Sequence, residues 1–412
     1  MKLNKKILFF GEAVSLAHVA RPLVLAEALC KNGYEVFFAC DPIYKKFITQ
    51  NQNIKYIPIK SISPDDFMNS LYFGKSIFNK KILSQYISED MKIINEINPD
   101  LIVGDFRVSL SISAKLSNKT HISLTNAHWS PFANNQFESP ETIYTKYLGY
   151  DFANVLFKLI YPIAFKEQAR PYNSLANKAS INAAKDIRDM YTRGDIVLYL
   201  DPPDLVKMDE LPNNHLYLGP IIWSPKIEAP VWLDQIQKTK NNVYATFGSS
   251  GLAKLLPQVC DGILATENKA IIATANRVKV SSNPNILQAD YLPGETILEN
   301  CNIAICNGGS ATVYQALSKG VPVIGIPHNL DQFLTMQAIE SKGLGILIRP
   351  KQATSQKIAQ AIREINNNSA YKTNADKWKH QFQNNDSCHK FLKLVNSLFI
   401  KDQYSILTKL VS

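Results

Sequence analysis

Residues 306–350 read CNGGSATVYQALSKGVPVIGIPHNLDQFLTMQAIESKGLGILIRP, and they carry the strongest signal of the sequence. The apolar run 303–306 leads into a glycine pair, and a helical pattern follows that Gly320 ends. A strand that turns through glycine into a helix is the repeating unit of a parallel sheet covered by helices. Gly308 and Gly309 also let the N–H groups at the helix start approach a ligand closely, which is typical of a phosphate-binding turn.

The same alternation of short apolar runs and helical patterns extends through the whole chain. The predicted strands are 7–10, 35–40, 101–103, 121–124, 196–200, 243–247, 270–273, 286–289, 303–306, 321–326 and 345–348. Because these runs lack period-two alternation, we expect helices on both faces of each sheet.

The chain is long enough for two domains, since 412 residues exceed what one hydrophobic core usually spans. Residues 218–230 are dense in glycine and proline and separate two sets of strands. The predicted fold class is therefore α/β, with two Rossmann-like, doubly wound domains facing each other across a cleft. The predicted boundaries are 1–222 for the first domain, 223–240 for a linker, 241–385 for the second domain and 386–412 for a helical tail.

The composition excludes several classes of protein. With 46% hydrophobic and 19% charged residues the chain is globular, which excludes disorder. The formal net charge of +10 favours acidic partners, but the basic residues are dispersed, so nucleic-acid binding is the least favoured interpretation. Six cysteines without a CxxC pair or Cys/His spacing exclude a disulfide scaffold and a zinc site, and predict reduced thiols.

No segment has the length of a signal peptide core or a membrane span. The apolar run 7–10 stops at Gly11, and the most apolar stretch, 152–165, contains Lys158 and Pro162. The sequence therefore predicts a soluble, cytoplasmic protein. The tail combines lysines with apolar residues at helical spacing, so peripheral contact of the tail with an anionic membrane is a further hypothesis.

Two polar residues follow neighbouring strands of the first predicted sheet. His18 lies in the predicted loop after strand 7–10, just before a helix in which Pro22 suits the first turn. Asp105 follows strand 101–103, at the sheet edge where ligands of open α/β sheets bind. When a carboxylate accepts a hydrogen bond from one nitrogen of an imidazole, the other nitrogen keeps its lone pair and can act as a base. Capping of helices by His18 and by Asp105 is the alternative for each residue alone.

A second glycine turn, Gly248–Gly251, follows strand 243–247 and predicts a diphosphate-binding site together with the first turn. Neither turn matches a dinucleotide or P-loop motif. The candidate ligand-binding residues at these turns and in the following loop are Ser249, Ser250, Asn307, Gly308, Gly309, Ser310, Ala311, Thr312, Asp331 and Gln332. For Asp331 alone, capping of a helix is an equally ordinary role.

These motifs resemble those of the GT-B-fold UDP-glycosyltransferases, the inverting group that includes plant secondary-product and bacterial macrolide enzymes. The donor signature of that family is similar to HGGxGT followed by EAL, GVP and DQ. In this chain the corresponding residues are, in the same order, 307–312, 315–317, 320–322 and 331–332. His18 to Pro22 corresponds to the family's GHxxP motif. The resemblance covers both predicted domains.

The resemblance implies a metal-independent, inverting hexosyltransferase that needs no cofactor and uses a UDP- or dTDP-hexose as co-substrate. His18 would deprotonate a hydroxyl of a small, apolar or lipid-like acceptor, and Asp105 would orient His18. The leaving diphosphate would be stabilised by the turn 308–312 and by Ser249 and Ser250. Asp331 and Gln332 would bind sugar hydroxyls. The absence of a DxD motif agrees with an enzyme that uses no metal.

Asn307 is a departure from the pattern, because the family has a histidine there and an asparagine carries no charge. Arg21 and Arg107 are candidates for binding an acidic acceptor, with ion pairs elsewhere as the alternative. His128 and Trp129 are candidates for the acceptor pocket, and His128 is a reserve base. The aromatic residues of 132–172 favour an apolar acceptor. A GT-B nucleotide-sugar epimerase and a catalytically silent nucleotide-sugar-binding subunit remain alternative functions, and the oligomeric state is not predicted.

Overall fold

The structure is a computed structural model that describes residues 5–208, 210–237, 241–248 and 250–399. Ser249 and the tail beyond residue 399 therefore lie outside the described residues. The chain divides into two compact units. Within the described residues the first unit contains 5–134, 155–221 and 386–399, and the second contains 135–154 and 222–385.

All strands belong to one of two sheets in the described residues, and the helices connect them. The strands are β1 Lys6–Gly11, β2 Glu35–Cys40, β3 Ile54–Pro58, β4 Leu101–Asp105, β5 His121–Thr125, β6 Ile196–Tyr199, β7 His215–Tyr217, β8 Asn242–Thr246, β9 Lys269–Ala273, β10 Ile286–Ala289, β11 Ile303–Cys306, β12 Val323–Gly325 and β13 Gly345–Leu347. The helices are α1 Ala17–Lys31, α2 Lys45–Ile48, α3 Pro64–Phe73, α4 Lys80–Ile97, α5 Leu110–Leu116, α6 Ile143–Leu148, α7 Tyr150–Ala176, α8 Ile187–Tyr191, α9 Leu233–Gln237, α10 Leu256–Leu264, α11 Gly294–Leu298, α12 Ser310–Ser318, α13 Leu330–Ser341, α14 Ser355–Asn367, α15 Ser369–Gln383 and α16 Ser387–Phe399.

The first unit is built on a seven-stranded parallel sheet in the order β3-β2-β1-β4-β5-β6-β7. Strands β4 and β5 are buried at every position, because helices cover both faces of the sheet centre. In the register of β1 with β4, Gly11 pairs with Asp105. The residues that follow the central strands therefore meet at one edge of the sheet.

The second unit has a six-stranded parallel sheet in the order β10-β9-β8-β11-β12-β13. Apolar residues of β8, β9, β11 and β12 pack with those of α10 and α14 in one core. The strand β11 lies beside β8, so the two glycine turns that follow these strands are neighbours. Both sheets confirm the predicted α/β class with two Rossmann-like sheets.

Two segments group differently from the predicted boundaries, which placed 135–154 in the first domain and 386–412 in a separate tail. Residues 135–154 belong to the second unit, although they lie far before the predicted linker. The helix α16 belongs to the first unit, because the ring of Phe391 packs against Phe9 of β1 at 6.4 Å and is fully buried. In the described part of the chain, no helix is long and apolar enough to cross a membrane.

Candidate active site

The carboxyl edge of the first sheet brings His18 and Asp105 together. Asp105 ends β4, and His18 lies in the first turn of α1, the helix that follows β1. The Nδ1 atom of His18 is 2.8 Å from Oδ1 of Asp105. The side chain of Asp105 is 1% exposed and that of His18 is 21% exposed. A buried carboxylate therefore fixes one nitrogen of an imidazole that remains accessible.

The start of α1 differs from the sequence prediction, which placed His18 in a loop before the helix. Helix α1 begins at Ala17, and Pro22 lies inside it rather than in its first positions. Proline has no N–H, so the carbonyl of His18, four residues earlier, lacks its usual helical partner. That carbonyl lies against Gly11, where a Cβ atom would be only 3.1 Å away. A glycine at the end of β1 thus allows the close approach of the helix that carries His18.

Arg21 is buried beside this pair, where it binds other side chains, and its predicted role in acceptor binding stays a prediction. Its Nε and Nη2 atoms donate to the two oxygens of Asp105 at 3.0 and 2.8 Å, and Nη1 donates to Asn126 at 2.6 Å. The amide of Asn126 in turn donates to Asp201 at 2.8 Å. Asp105 ends β4, Asn126 follows β5 and Asp201 comes just after β6, and these three strands are adjacent in the sheet. A continuous chain of buried polar groups therefore supports His18.

An aromatic cluster borders the imidazole of His18, and of its members the sequence analysis named only Trp129. Phe106 stacks on that ring with centroids 4.6 Å apart, and its backbone has a φ of 60°. Tyr191 packs on Phe106 at 4.9 Å, and Trp129 meets Tyr191 edge to face at 5.3 Å. Trp129 thus belongs to an apolar wall close to His18. His128 is 2% exposed, so burial leaves it poorly placed as the reserve base.

Arg107 is fully buried in a separate ionic cluster, and its predicted role in acceptor binding also stays a prediction. Its guanidinium donates to Glu12, Asp90 and Glu89 at 2.9 to 3.1 Å and lies 3.6 Å from the ring centroid of Tyr86. Burial raises the pKa of Glu12, and the neighbouring Arg107 opposes that rise. The cluster holds the segment after β4 in place.

In the second unit, the turn after β11 forms the start of α12. Gly308 has a φ of 76°, and a Cβ atom there would lie 2.5 Å from Met336. Gly309 is the N-terminal cap residue of α12, and among the residues that the structure describes no side chain caps this helix. The first N–H groups of α12 therefore have no side-chain acceptor, which is the arrangement that binds phosphate oxygens. These groups come from the predicted residues Ser310, Ala311 and Thr312.

The two predicted glycine turns contact each other through Asn307. Its amide nitrogen lies 3.3 Å from Oγ of Ser250, and its Oδ1 accepts the N–H of Gly309 at 3.4 Å. At Gly251 a Cβ atom would lie 2.8 Å from Cβ of Asn307. The structure thus brings Asn307, Ser250 and the start of α12 together, whereas Ser249 lies outside the described residues.

Arg277 is a residue of this site that the sequence analysis missed. It follows β9, is exposed, and its Nη1 donates to the carbonyls of Gly248 and Gly251 at 3.2 and 2.8 Å. Burial, with a smaller contribution from the charge of Arg277, lowers the pKa of His328 to about 4, although a hydrogen bond with Gln332 opposes the shift. Arg277 therefore brings a positive charge to the glycine turns. Its position after a strand at the carboxyl edge of the sheet is the signal that would have found it.

The loop before α13 holds the two predicted sugar-binding residues. Asn329 caps α13 by accepting the N–H of Gln332 at 3.0 Å, so Asp331 is not the cap and its side chain is partly exposed. Gln332 is 2% exposed, and its Oε1 accepts the N–H of His328 at 3.1 Å. The buried Gln332 shapes the loop through this hydrogen bond, and its predicted role in binding a sugar stays a prediction.

Residues 135–154 support this same loop. The N–H of Glu141 donates to the carbonyl of His328 at 3.0 Å. Arg349 donates to the carboxylate of Glu141 at 3.0 Å and lies 3.5 Å from the ring centroid of Tyr150. One buried arginine therefore fastens the segment against the second unit. Among the described residues, no group of three His, Cys, Asp or Glu residues has the arrangement of a metal site.

Comparison with known proteins identifies the family. Residues 258–392 match the model described as "Erythromycin biosynthesis protein CIII-like, C-terminal domain". The PGL/p-HBAD biosynthesis glycosyltransferase of Mycobacterium tuberculosis (strain ATCC 25177 / H37Ra) is 40% identical over 88% of this chain and 85% of that protein. The PGL/p-HBAD biosynthesis rhamnosyltransferase of Mycobacterium bovis (strain BCG / Pasteur 1173P2) is 39% identical over 90% of this chain and 82% of that protein.

The fold comparison agrees with the motifs. The solved structure of the spinosyn forosaminyltransferase SpnP covers 96% of this chain and 99% of that chain, with a TM-score of 0.71 and 17% identity. This likeness and the two parallel sheets confirm the GT-B fold expected from the resemblance. The chain belongs to the glycosyltransferase family that contains the PGL/p-HBAD biosynthesis glycosyltransferases.

Proposed function

We propose that this glycosyltransferase moves a hexose from a UDP- or dTDP-sugar to a hydroxyl of a small, apolar or lipid-like acceptor, with inversion at the anomeric carbon. The observation that carries the proposal is the 2.8 Å contact between Nδ1 of a partly exposed His18 and the buried carboxylate of Asp105. No hydrogen bond occupies Nε2 of His18 within the described residues, so this atom is free to act as the base.

The proton transfer follows from the charges around His18. The carboxylate of Asp105 accepts the Nδ1–H, which leaves the lone pair on Nε2 to take the proton of the acceptor hydroxyl. With both carboxylates ionised, the chain of Asp105, Arg21 and Asp201 carries one net negative charge. A proton gained by His18 neutralises that charge, so the buried cluster stabilises the imidazolium as the reaction proceeds.

The donor is assigned to the second unit. As the acceptor oxygen forms its bond to the anomeric carbon, the bond to the diphosphate breaks and the diphosphate keeps the electron pair. The uncapped start of α12 and the charge of Arg277 would stabilise that negative charge. Arg277 would thereby supply the charge that Asn307 lacks. Asp331, which is partly exposed at the start of α13, would bind a sugar hydroxyl.

The acceptor is assigned to the aromatic wall beside His18. The wall of Phe106, Tyr191 and Trp129 offers flat apolar surfaces next to the base, which suits an apolar acceptor with one reactive hydroxyl. Because one relative is named a rhamnosyltransferase, rhamnosyl donors belong beside the UDP- and dTDP-hexoses in any test panel.

The test is release of nucleoside diphosphate from a panel of donors in the presence of apolar hydroxyl acceptors. We expect His18→Ala to lower kcat by about 10²- to 10⁴-fold, the usual contribution of a general base, and to bind nucleotide as the wild type does. His389→Ala is the matched control, because His389 is exposed on α16. Full activity of His18→Ala would exclude the assigned base. A wild-type protein that binds donors and neither transfers nor hydrolyses them would exclude the transferase proposal itself.

A further inference from the structure

Arg349 lies at the centre of a buried cluster in the second unit that the proposed reaction does not use. Its guanidinium carbon is 3.5 Å from the ring centroid of Tyr150 and 4.4 Å from that of Phe333. Its Nη1 atom donates to Glu141 at 3.0 Å and to the carbonyl of Ser139 at 3.3 Å. Arg349 is only 9% exposed. Two aromatic rings, a carboxylate and a carbonyl therefore hold one planar cation in a fixed orientation.

Most of these partners come from one stretch of chain, residues 138–150, which is called the strap below. The ion pair of Arg349 with Glu141 joins residues that are 208 positions apart in the sequence. A second ionic contact runs from Nη2 of Arg349 to Glu138 at 3.4 Å. Glu138 also accepts the hydroxyl of Tyr150 at 2.9 Å, so the start of the strap is tied to its end. Arg349 therefore holds the strap at several points at once.

Arg349 and the strap also hold the loop before α13 at both of its ends. At the near end, the N–H of Glu141 donates to the carbonyl of His328 at 3.0 Å. At the far end, Phe333 in the first turn of α13 packs on Arg349 and is 1% exposed. Between these two points the chain carries Asp331, which is partly exposed. The backbone position of Asp331 is therefore set from both sides.

Stability alone is a weak reason for such a cluster. Taking an arginine and its carboxylates out of water costs free energy that their pairing does not always return, and apolar side chains of similar volume are often as stabilising. An ion pair of this kind provides direction, because a guanidinium donates along defined N–H directions and binds at several points at once. The cluster around Arg349 therefore suits a role in placing the loop before α13.

We propose that Arg349 is a positioning residue for the sugar of the donor: acting through the strap and α13, it holds the loop 328–331 so that the carboxylate of Asp331 binds a sugar hydroxyl. This role rests on the proposed function, which assigns Asp331 to the sugar. The diphosphate is assigned to a different place in the same unit, the uncapped start of α12. Loss of Arg349 will therefore weaken binding of the sugar part of the donor more than binding of the diphosphate.

The test is calorimetric binding of UDP, dTDP, UDP-glucose, dTDP-glucose and dTDP-rhamnose to the full-length protein. For the nucleotide sugar that the wild type binds best, we expect Arg349→Gln to lower the affinity about tenfold, the effect of losing one hydrogen bond to a charged group. Binding of the matching nucleoside diphosphate will change little. Arg363→Gln is the matched control, because Arg363 is exposed on α14 and also donates to a main-chain carbonyl, that of Ala265.

A double-mutant cycle separates positioning from a merely structural role. In Asp331→Ala the sugar contact is already lost, so the addition of Arg349→Gln will cause little further loss of nucleotide-sugar affinity. If Arg349 only supports packing, the two losses will add. Thermal unfolding will show whether Arg349→Gln folds. If it does not, Glu141→Gln takes its place in the cycle, because it weakens the same ion pair and keeps the main-chain bond to His328.

Equal losses for the nucleotide and the nucleotide sugar, additive losses in the cycle, or unchanged binding by Arg349→Gln would each overturn the positioning role. Wild-type affinity of Asp331→Ala for the nucleotide sugar would overturn it as well, because Arg349 would then have no sugar contact to act through. A wild type that binds a nucleotide sugar without transferring it would contradict only the proposed transfer, since the binding results stand without turnover. A wild type that binds none of these nucleotides would overturn both proposals.

Discussion

Replacement of Arg21 by methionine removes one buried positive charge and keeps most of the side-chain volume. In the wild type the guanidinium binds both oxygens of Asp105 and lies 3.0 Å from Nδ1 of His18. Without it, His18 is left as the cationic partner of Asp105, so the imidazolium form is favoured. A protonated Nε2 cannot accept the proton of an acceptor hydroxyl, and we expect activity near neutral pH to fall.

The size of the effect follows from the distance. Two unit charges about 4 Å apart interact by about 1 kcal/mol in water and about 4 kcal/mol at an effective dielectric constant near 20. One pH unit corresponds to about 1.4 kcal/mol, so the acid limb of the rate profile will move up by about one to three pH units. The loss in unfolding free energy will stay below the roughly 3–5 kcal/mol typical of breaking a buried ion pair, because protonated His18 still pairs with Asp105.

The assay is kcat/KM as a function of pH for wild type, Arg21→Met and Arg21→Lys. The lysine variant keeps the charge and loses the two-point contact, so its acid limb will stay closer to that of the wild type. Recovery of Arg21→Met activity at high pH is the signature of an electrostatic role. A profile that is lowered at every pH with an unchanged acid limb would show that Arg21 acts only by packing, and would refute the reasoning.

Three further predictions concern other buried or ligand-facing groups. Arg277→Met will weaken binding of a nucleoside diphosphate about tenfold or more while binding of the nucleoside changes little; calorimetry showing equal losses for both would contradict a phosphate contact. Arg107→Leu will lower the free energy of unfolding by about 3–5 kcal/mol in urea, because Glu12 and Asp90 lose their buried counterion; a change below about 1 kcal/mol would contradict it. Burial lowers the pKa of His121 to about 4. The melting temperature will therefore be highest above pH 6.5 and will fall as the pH drops toward 4, because in that range the unfolded chain binds a proton at this histidine and the folded chain does not. His121→Leu will make this fall shallower, and an unchanged pH dependence would show that other groups cause it.

In the first sheet the central strands could be predicted from sequence and the edge strands could not, whereas both edge strands of the second sheet, β10 and β13, were predicted. Strands β4 and β5 are buried at every position, so their sequences are continuous apolar runs. Strands β3 and β7 lie at the two edges of the first sheet and are only partly buried. Their sequences, IKYIP and HLY, mix polar and apolar residues and gave no strand signal.

The candidate site was predictable where it depends on residues at or soon after the ends of strands. Asp105 ends β4, His18 lies in the helix that follows β1, and Asn307 and the glycines before α12 directly follow β11, so parallel strands bring each of them to one edge of its own sheet. The partners of the two arginines were not predictable, because Arg21 and Asp105 are separated by 84 residues and Arg107 and Glu12 by 95. Only the folded chain shows that buried carboxylates need both arginines as counterions.

Phe106 shows that the two buried ionic clusters act on one site. Its φ of 60° lies in the left-handed region, which costs a bulky residue about 1–3 kcal/mol. The residues on either side, Asp105 and Arg107, are each tied into a buried cluster, and together they hold this backbone in place. The strained backbone is what sets the ring of Phe106 parallel to the imidazole of His18, 4.6 Å away. The cluster around Arg107 therefore helps to hold Phe106 beside His18, the proposed base, so a change there is expected to alter acceptor KM as well as stability.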